Sequence, residues 1–369
     1  MLVPIVSVLM LAAPRSQSAA HPASTSAFDT LSQQAEQARD AKHLDKALNL
    51  YKKALDLKPD WQAGWWNAGS IAYDLNKYSE CAPDFRRLAA LKPDLAPAWT
   101  YEGLCEYRLR DYESAVKSLT QAQRLGFKEE TELARAAMLH LALVLTKLGD
   151  PERAIVLLFD LSSTEKKTPE IIVAAGIAGL QKKWIPPEVP ESEQDKVFKL
   201  GDAMATVMQQ DAAGAMEKFA AAVRDYPQEP EIHYRFGAFL MEEDPDRGIQ
   251  ELKKTLELEP DHIPARVALA RIYLKRDDSK AALSYAKEAT KLAPGDFNTH
   301  VALGQVLLTT GDVAGAVREL ELGVRLGPES SVAHYRLASA YAQMGRKSDA
   351  ARERAEFERL RRLADSGQP

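Results

Sequence analysis

The sequence predicts an all-α fold, a right-handed α-α superhelical solenoid of about nine helix pairs with an irregular interruption near 164–195. The first observation is a proline that recurs with a period of about 34 residues, at Pro59 and Pro93. The same spacing separates Pro227, Pro260, Pro294 and Pro328, to within one position. The second observation is a small residue 12 positions before each proline: Ala47, Cys81, Ala215, Gly248, Ala282 and Ala316. A fixed period of this length is typical of stacked helical repeats.

The composition of the 369-residue chain is globular, with 46% hydrophobic and 27% charged residues. Its formal net charge of −5 argues against a nucleic-acid partner, because proteins that bind nucleic acids present an excess of basic residues. The chain has 2 cysteines, too few for a disulfide framework and without a zinc-binding spacing. Composition therefore favours a helical globular protein and indicates no particular chemistry.

The first 20 residues have the pattern of a secretory signal peptide. Leu2 to Ala13 is a 12-residue apolar run, whereas a transmembrane helix needs about 20 residues. Ser18 and Ala20 then fit a small-x-small cleavage site. No Lys or Arg precedes the run, which leaves open an uncleaved anchor, the only expected membrane contact, or a misassigned start. We expect a signal peptide over 1–20, a linker over 21–27 and a periplasmic or secreted protein, or a cytoplasmic one if the start is misassigned.

The clearest single copy of the repeat covers residues 62–95, with Trp65, Gly69, Phe85 and Pro93 in phase. This pattern resembles the tetratricopeptide repeat, a unit of about 34 residues with a Trp, Leu-Gly, a Tyr, a small Ala, an aromatic residue and a closing Pro. The resemblance is to bacterial-type exported proteins with many such repeats. It implies two antiparallel helices in each unit and a function in protein binding.

Small residues on the two helices of a unit are expected to face each other, as Gly69 would face Cys81 and Gly304 would face Ala316. Small side chains at both positions let the two backbones approach closely. The closing proline ends the second helix, because it lacks an N–H group and disfavours helical geometry in the residue before it.

The period divides the chain into units at about 28–61, 62–95, 96–129, 135–168, 196–229, 230–262, 263–296, 297–330 and 331–364. The third unit has Phe127 where proline is usual. We therefore predict an N-terminal array over 28–168 and a C-terminal array over 196–369. The last helix, Asp349 to Leu363, is rich in Arg and Glu and suits a capping helix whose outer face meets water.

Residues 169–195 break the period, and we predict a lone helix and a Pro-rich connection. Pro169 to Lys183 is predicted to form the helix, and Trp184–Pro190 then has three prolines within five residues. One interpretation is a degenerate repeat that lost its second helix. In the other, Trp184 and Ile185 fold over the concave face, either as an internal mimic of a ligand or as a hinge between the two arrays.

The family resemblance implies that partners contact the first helix of each unit, at its second, fifth, ninth, twelfth and thirteenth positions. These positions offer aromatic and basic side chains, which are common anchors of binding surfaces. The predicted contacts are Trp66, Tyr73, Tyr107, Arg108, Lys147, Tyr234, Arg271, Lys275 and Tyr335. One family subtype grips a C-terminal carboxylate with Lys and Asn at the fifth and ninth positions of its first two units. Here those positions are Ser32, Glu36, Trp66 and Ser70, which argues against that subtype.

His233, His300 and His334 fall at the position that Trp usually occupies, each in a different unit. Packed helices lie about 8–10 Å apart, whereas metal ligands lie about 2 Å from the ion. We therefore predict packing histidines and no metal site.

Cys81 and Cys105 fall at predicted buried positions of neighbouring helices. They are expected either to be buried hydrophobic residues or, in an oxidising compartment, to form a disulfide.

The sequence contains no Gly-rich phosphate loop, nucleophile elbow or metalloprotease helix. The repeats also leave no room for a separate catalytic domain, so we predict a protein that is not an enzyme and has no cofactor. The leading hypothesis is a scaffold or adaptor that binds an extended peptide or a partner helix in its concave groove. The alternative is a structural subunit of a cell-envelope assembly, held by convex or edge surfaces, with Trp184–Pro190 in its own groove. The partner's identity and the oligomeric state stay open.

Overall fold

The computed structural model describes residues 26–126, 131–164 and 167–365. These ranges form nineteen α-helices and one 3-10 turn and no strand, which confirms the predicted all-α helical-repeat fold. The first eight helices are α1 (Ala27–Asp40), α2 (Leu44–Leu57), α3 (Gln62–Asp74), α4 (Tyr78–Leu91), α5 (Ala96–Arg108), α6 (Tyr112–Leu125), α7 (Glu132–Leu148) and α8 (Pro151–Thr164). The predicted signal peptide, most of the linker and Phe127 lie outside the described residues.

After α9 (Pro169–Gly179) comes the 3-10 turn (Pro186–Glu188). The remaining helices are α10 (Glu191–Met208), α11 (Ala212–Asp225), α12 (Pro230–Glu243), α13 (Pro245–Leu258), α14 (Ile263–Lys275), α15 (Ser279–Leu292), α16 (Phe297–Thr309), α17 (Val313–Leu326), α18 (Ser331–Gln343) and α19 (Lys347–Asp365). No helix in the described ranges has the length and apolar character needed to cross a membrane.

A residue with left-handed backbone geometry follows the first helix of almost every pair. Lys42, Asn76 and Arg110 have φ values of 60°, 57° and 63°. The later members of this set are Gly149, Gln181, Gln210, Asp277, Gly311 and Gly345. A positive φ at this point reverses the chain direction in a short turn, so the second helix can return along the first. Because Gln181 follows α9, that helix ends as the first helix of a pair does.

The recurrent prolines lie just after the second helices. Lys58 and Lys92 precede Pro59 and Pro93 and have φ values of −138° and −137°, outside helical geometry. Because proline disfavours helical geometry in the residue before it, each proline marks the end of its helix. The repeated prolines therefore set the length of each pair.

Several glycines on the first helices lie under large side chains. A Cβ atom at Gly69 would lie 2.7 Å from the Phe85 ring, and one at Gly304 would lie 2.5 Å from Leu320 Cγ. The atoms nearest to these glycines thus belong to the large residue four positions after the expected small partner. In these two pairs a large side chain lies over the glycine, whereas in a later pair the expected small-to-small contact is present: a Cβ atom at Gly237 would lie 3.1 Å from the Gly248 carbonyl oxygen.

The described helices form two compact units, which divide between Val144 and Leu145, inside α7. In the first unit α1 to α6 pack in chain order, around fully buried side chains such as Tyr51, Phe85 and Leu88. This core is one continuous cluster that α1 to α5 share.

The second unit has smaller core clusters, each formed by neighbouring pairs. One surrounds Leu252 and Leu269, and another surrounds Leu320 and Leu337. Each cluster joins a second helix to the first helix of the next pair, as expected of repeats that bury their apolar faces only by stacking.

A disulfide joins Cys81 on α4 to Cys105 on α5 in the first unit. The two Cα atoms are 6.1 Å apart, within the range for a disulfide, and both side chains are fully buried. Of the two alternatives that the sequence leaves open, the structure has the disulfide. It ties the second helix of one pair to the first helix of the next.

The interruption in the second unit consists of α9, the 3-10 turn and α10, with α9 packed directly on α10. A Cβ atom at Gly176 would overlap the Val197 carbonyl, and one at Gly201 would overlap the Ile172 carbonyl. The two backbones are therefore in close contact. Since α8 also packs on α9 and α10, the division between the units lies before the interruption.

Arg235 on α12 connects this interruption to its neighbours within the second unit. Only 9% of Arg235 is exposed. Its Nε donates to the Gly179 carbonyl at 3.2 Å, and its Nη2 donates to Glu152 at 2.8 Å. The guanidinium also lies over the Tyr234 ring, 4.9 Å from the ring centroid. One buried cation thus contacts α8, α9 and α12 together.

We expect Arg235→Met to destabilise the second unit by about 2–3 kcal/mol, because the buried Gly179 carbonyl loses its hydrogen bond and the ion pair is lost. Thermal unfolding followed by circular dichroism measures this. The control is Arg276→Met, whose ion pair with Asp246 is exposed and is expected to contribute less than about 1 kcal/mol. Equal unfolding temperatures for the two variants would contradict the role given to Arg235.

Candidate functional site

The predicted contact residues lie on first helices of both units. In the first unit, α3 carries Trp66 and Tyr73, and α5 carries Tyr107 and Arg108. The second unit holds the others: Lys147 on α7, Tyr234 on α12, Arg271 and Lys275 on α14, and Tyr335 on α18.

Four half-buried rings of the first unit form a continuous surface, which we call the aromatic patch: Trp66, Tyr73, Tyr78 and Tyr101. The Tyr101 ring lies 5.7 Å from Trp66 and 5.4 Å from Tyr73, both edge to face. Tyr78 lies 5.8 Å from Tyr73. Beneath the patch, the buried Phe85 ring stacks on Tyr101 at 4.9 Å. Such packed rings present a large contact area with little side-chain freedom left to lose.

Arg108 lies at the edge of the patch. Its guanidinium is 5.5 Å from the centroid of the Tyr78 ring, and its positive charge acts on the Tyr73 hydroxyl. Burial raises the pKa of Tyr73, and the positive charge of Arg108 opposes that increase. The predicted cation therefore contacts one ring of the patch and acts electrostatically on the hydroxyl of a second.

Tyr107 is buried, with only 9% of the residue exposed. Its ring packs against Tyr112 at 6.0 Å and against the His140 ring at 4.8 Å. Burial lowers the pKa of His140 to about 4, so this contact is between neutral rings at ordinary pH. Tyr107 thus offers little surface to a partner, although it occupies a predicted contact position.

Lys147 in the second unit forms an ion pair with Glu188 of the 3-10 turn, with Nζ and Oε2 2.6 Å apart. Glu188 also accepts a hydrogen bond from the Ile185 backbone N–H. The side chains of Ile185 and Val189 on either side are buried. The segment Trp184–Pro190 is therefore held against one of the predicted contact residues by charge and by apolar burial.

Tyr234 on α12 is half-buried, with its ring 4.7 Å from the His262 ring. Burial raises the pKa of Tyr234 to about 12, so the hydroxyl stays protonated. Arg271 and Lys275 on α14 are exposed, and Lys275 forms an ion pair with Glu242 of α12. The hydrogen bond from Lys275 lowers the pKa of the Glu242 carboxyl.

Tyr335 on α18 is the most exposed of the predicted aromatic contacts, at 47%. Its ring is 5.4 Å from Phe357 of α19, and the Arg336 guanidinium lies 5.6 Å from its centroid. In the second unit, Tyr234 and Tyr335 thus each pack against a local neighbour and belong to no shared patch.

The three histidines at the usual Trp position repeat one arrangement. Trp65 and Trp99 donate from Nε1 to the Pro59 and Pro93 carbonyls at 2.9 and 3.0 Å. The histidines place Nε2 at 2.9–3.1 Å from the equivalent carbonyls of Pro227, Pro294 and Pro328. Their Nδ1 atoms lie 2.6–2.7 Å from carboxyl oxygens of Glu251, Glu319 and Glu353. Each imidazole therefore fastens a proline turn to the second helix of its own pair, as a structural residue.

The described residues contain no group of three or more His, Cys, Asp or Glu side chains that could hold a metal ion. The arrangement they do contain is an aromatic surface with basic and acidic groups at its edge, which suits binding. Tyr101 and Tyr78 were not predicted as contacts, because the family pattern covers only five positions of the first helix. The sequence signal that could have identified them was a tyrosine on each of the helices that follow α3, Tyr78 on α4 and Tyr101 on α5. Glu188 was also missed, since its partner lies 41 residues away.

Two family models match the chain. A tetratricopeptide repeat model matches residues 33–96 and 102–164, and the model of the cilia and flagella-associated protein 70 middle TPR-like domain matches residues 203–361. No curated protein matches the sequence.

Among solved structures, the chain is similar to MamA from Desulfovibrio magneticus RS-1 (residues 41 to the end), with 20% identity and a TM-score of 0.40. That match covers 48% of this chain and 99% of the MamA chain. A MamA RS-1 double mutant has 21% identity and a TM-score of 0.40, over 48% of this chain and 99% of its own. Another MamA crystal structure has 20% identity and a TM-score of 0.38, over 44% and 96% of the two chains.

Proposed function

Because the chain belongs to the tetratricopeptide repeat superfamily, we propose that it is a non-catalytic scaffold that binds an extended peptide or a partner helix in its concave groove. The observation that carries the proposal is the aromatic patch of the first unit. Its four rings are half-buried, held by each other and by Arg108, and still present area to a partner. Rigid, partly exposed aromatic side chains are common binding anchors.

The contact set that we propose is narrower than the predicted one. Trp66 and Tyr73 belong to the aromatic patch, and Arg271 and Tyr335 are exposed on the second unit. Tyr107 is left out because it is buried, and Lys147 is left out because it forms an ion pair with Glu188. Tyr234 and Lys275 have neighbours within the molecule, so they are secondary contacts at most.

The experiment compares partner capture by the full chain with capture by a Trp66→Ala, Tyr73→Ala variant. The matched control is Phe159→Ala, which removes an exposed aromatic side chain of α8 away from the predicted positions. Circular dichroism first establishes that all three proteins stay helical. We expect the double variant to lose a partner that the wild type and the Phe159 variant both keep. Equal capture by all three would exclude the aromatic patch as the binding surface.

The alternative is that the chain is a structural subunit whose groove is filled by its own Trp184–Pro190 segment. The specific observation that favours it is the Lys147–Glu188 ion pair, together with the burial of Ile185 and Val189. In that case partners would contact convex or edge surfaces of the repeats.

We expect Lys147→Glu to release the Trp184–Pro190 segment, because two carboxylates would then face each other. Limited proteolysis detects release as faster cleavage near Lys183. Cleavage should be about tenfold faster if the substitution shifts the free energy of release by about 1.4 kcal/mol in favour of the released segment. The doubly exchanged variant Lys147→Glu, Glu188→Lys restores opposite charges and should return cleavage to the wild-type rate. Unchanged cleavage of the single variant would mean that the ion pair does not hold the segment.

We also propose that the protein works outside the cytoplasm. Two observations support this: the apolar run with a small-x-small site at the N-terminus, and the Cys81–Cys105 disulfide, which oxidising compartments favour. Fractionation of cells that express the natural gene, with N-terminal sequencing of the product, tests it. A cytoplasmic protein that keeps residues 1–20 would contradict the proposal.

A further inference from the structure

We propose that the aromatic patch binds a basic side chain, Arg or Lys, of an extended peptide, with Asp74 as its counter-charge. The inference rests on the proposed function and adds the chemistry of the partner. Two observations support it: the position of Asp74, and a comparison of Asp74 with the acidic residue at the equivalent repeat position of the second unit.

Asp74 is exposed and directly follows Tyr73 at the end of α3. In the described part of the chain it has neither a hydrogen bond nor an ion pair. The carboxylate is nevertheless close to the patch. Burial is the main reason why the pKa values of Tyr73 and Tyr101 are raised, and the negative charge of Asp74 adds to the increase at both hydroxyls. One carboxylate thus acts on two rings, and in the described part of the chain no cation forms an ion pair with it.

The second unit shows what an acidic residue at this repeat position does when a cation follows in the next repeat. Glu242 is the equivalent of Asp74, and Lys275, one repeat later, forms an ion pair with it. In the first unit the equivalent cation is Arg108, one repeat after Asp74. Arg108 instead lies over the Tyr78 ring, and its positive charge acts on the Tyr73 hydroxyl. The internal pair is therefore formed in one unit and absent in the other.

An external cation fits this arrangement by two interactions. A tyrosine or tryptophan ring face attracts an Arg or Lys side chain electrostatically, and the attraction becomes stronger as the site is desolvated. The same unit already uses this contact internally, with Lys58 5.0 Å from the Phe28 centroid and Arg108 5.5 Å from that of Tyr78. Asp74 then supplies the opposite charge that orients the incoming group.

An acidic peptide is the opposite choice, and the charges beside the patch disfavour it. The cation at the patch, Arg108, already lies over the Tyr78 ring, whereas the exposed Asp74 would repel a carboxylate. The net charge of −5 acts in the same direction over longer distances.

The experiment uses the full chain and fluorescein-labelled pools of short random peptides with one fixed central residue, which is Lys, Arg, Glu or Ala. Binding is measured by fluorescence anisotropy at low salt. We expect the Lys and Arg pools to bind at least about tenfold more tightly than the Glu pool, and Asp74→Asn to reduce that preference by about tenfold. The matched control is Asp60→Asn, an exposed acid in the turn before α3, which should leave the preference unchanged.

Tyr73→Ala separates failure of this inference from failure of the proposed function. If Tyr73→Ala weakens all pools while Asp74→Asn changes none, the groove binds peptides and the basic anchor is wrong. If neither variant changes any binding, both proposals are wrong for this surface. Tightest binding of the Glu pool, or no binding of the Lys and Arg pools above that of the Ala pool, would also overturn the inference.

Discussion

Loss of the Cys81–Cys105 disulfide is expected to destabilise the first unit by about 3 kcal/mol. The two cysteines are 24 residues apart, and the chain-entropy cost of closing a loop of that length is of this order. For a unit of this size the unfolding temperature should fall by roughly 10 °C. The measurement is thermal unfolding of the wild type with and without a phosphine reductant.

The double variant Cys81→Ala, Cys105→Ala is the control for this result. It should unfold at a temperature close to that of the reduced wild type, and the reductant should not change it further. Labelling of the unfolded, unreduced wild type should find no free thiol. Two free thiols per chain, or the same unfolding temperature with and without the reductant, would show that the cysteines are simply buried hydrophobic residues.

Replacing the buried carboxyl of Glu102 by an amide is expected to stabilise the first unit at pH 8. Glu102 is 3% exposed, and burial raises its pKa to about 7, with the negative charge of Glu106 adding to the increase. Arg86, which pairs with Glu102 and Glu106, offsets part of that cost. A shift from 4.5 to about 7 corresponds to about 3 kcal/mol of cost for the ionised form, as an upper value.

The sign of the pH dependence follows from the raised pKa. A carboxyl whose folded pKa exceeds its unfolded value adds stability below the unfolded pKa, and this stability is lost as pH rises through the folded pKa. For Glu102 the window therefore runs from about 4.5 to about 7. Asp84, whose pKa burial raises to about 6, acts in the same direction. His140 has the opposite effect on stability. Burial lowers its pKa from 6.5 to about 4, so its contribution to stability is lost as pH falls below 6.5.

The measurement is chemical denaturation of the wild type and Glu102→Gln at pH 8 and pH 5. The variant should be the more stable protein at pH 8, and its advantage should shrink or vanish at pH 5. Glu113→Gln is the control, since Glu113 is an exposed carboxyl on α6 and Arg86 pairs with Glu102 and Glu106. A Glu102 variant that is less stable at pH 8 would mean that the ion pairs with Arg86 outweigh the cost of burial.

The features that could be predicted from the sequence are those that repeat. The repeat period located the helix pairs, because a closing proline falls at the same position in six of the units. The histidines at the usual Trp position were correctly interpreted as packing residues, since the imidazole and the indole reach the equivalent proline carbonyl in their own repeats. The position of a residue within its repeat is a local property, so it can be determined from a single sequence.

Contacts that join distant segments could not be predicted in this way. Arg235 meets Glu152 across 83 residues, and Lys147 meets Glu188 across the interruption. Tyr107 holds a repeat position that the family uses for contacts, yet α7 supplies His140 as its neighbour. These outcomes depend on how the pairs stack where the period breaks, and the spacing of residues says nothing about that.

The most direct test of the scaffold proposal is site-specific photocrosslinking in the cell of origin. A photoreactive phenylalanine analogue is placed at Tyr73 in the aromatic patch and, in a separate protein, at Arg87 on the exposed side of α4. We expect crosslinks to a protein partner from position 73, with the linked peptide identifiable by mass spectrometry, and none to that partner from position 87. Crosslinks from position 87 alone would contradict groove binding and favour an assembly held by the outer surface of the repeats.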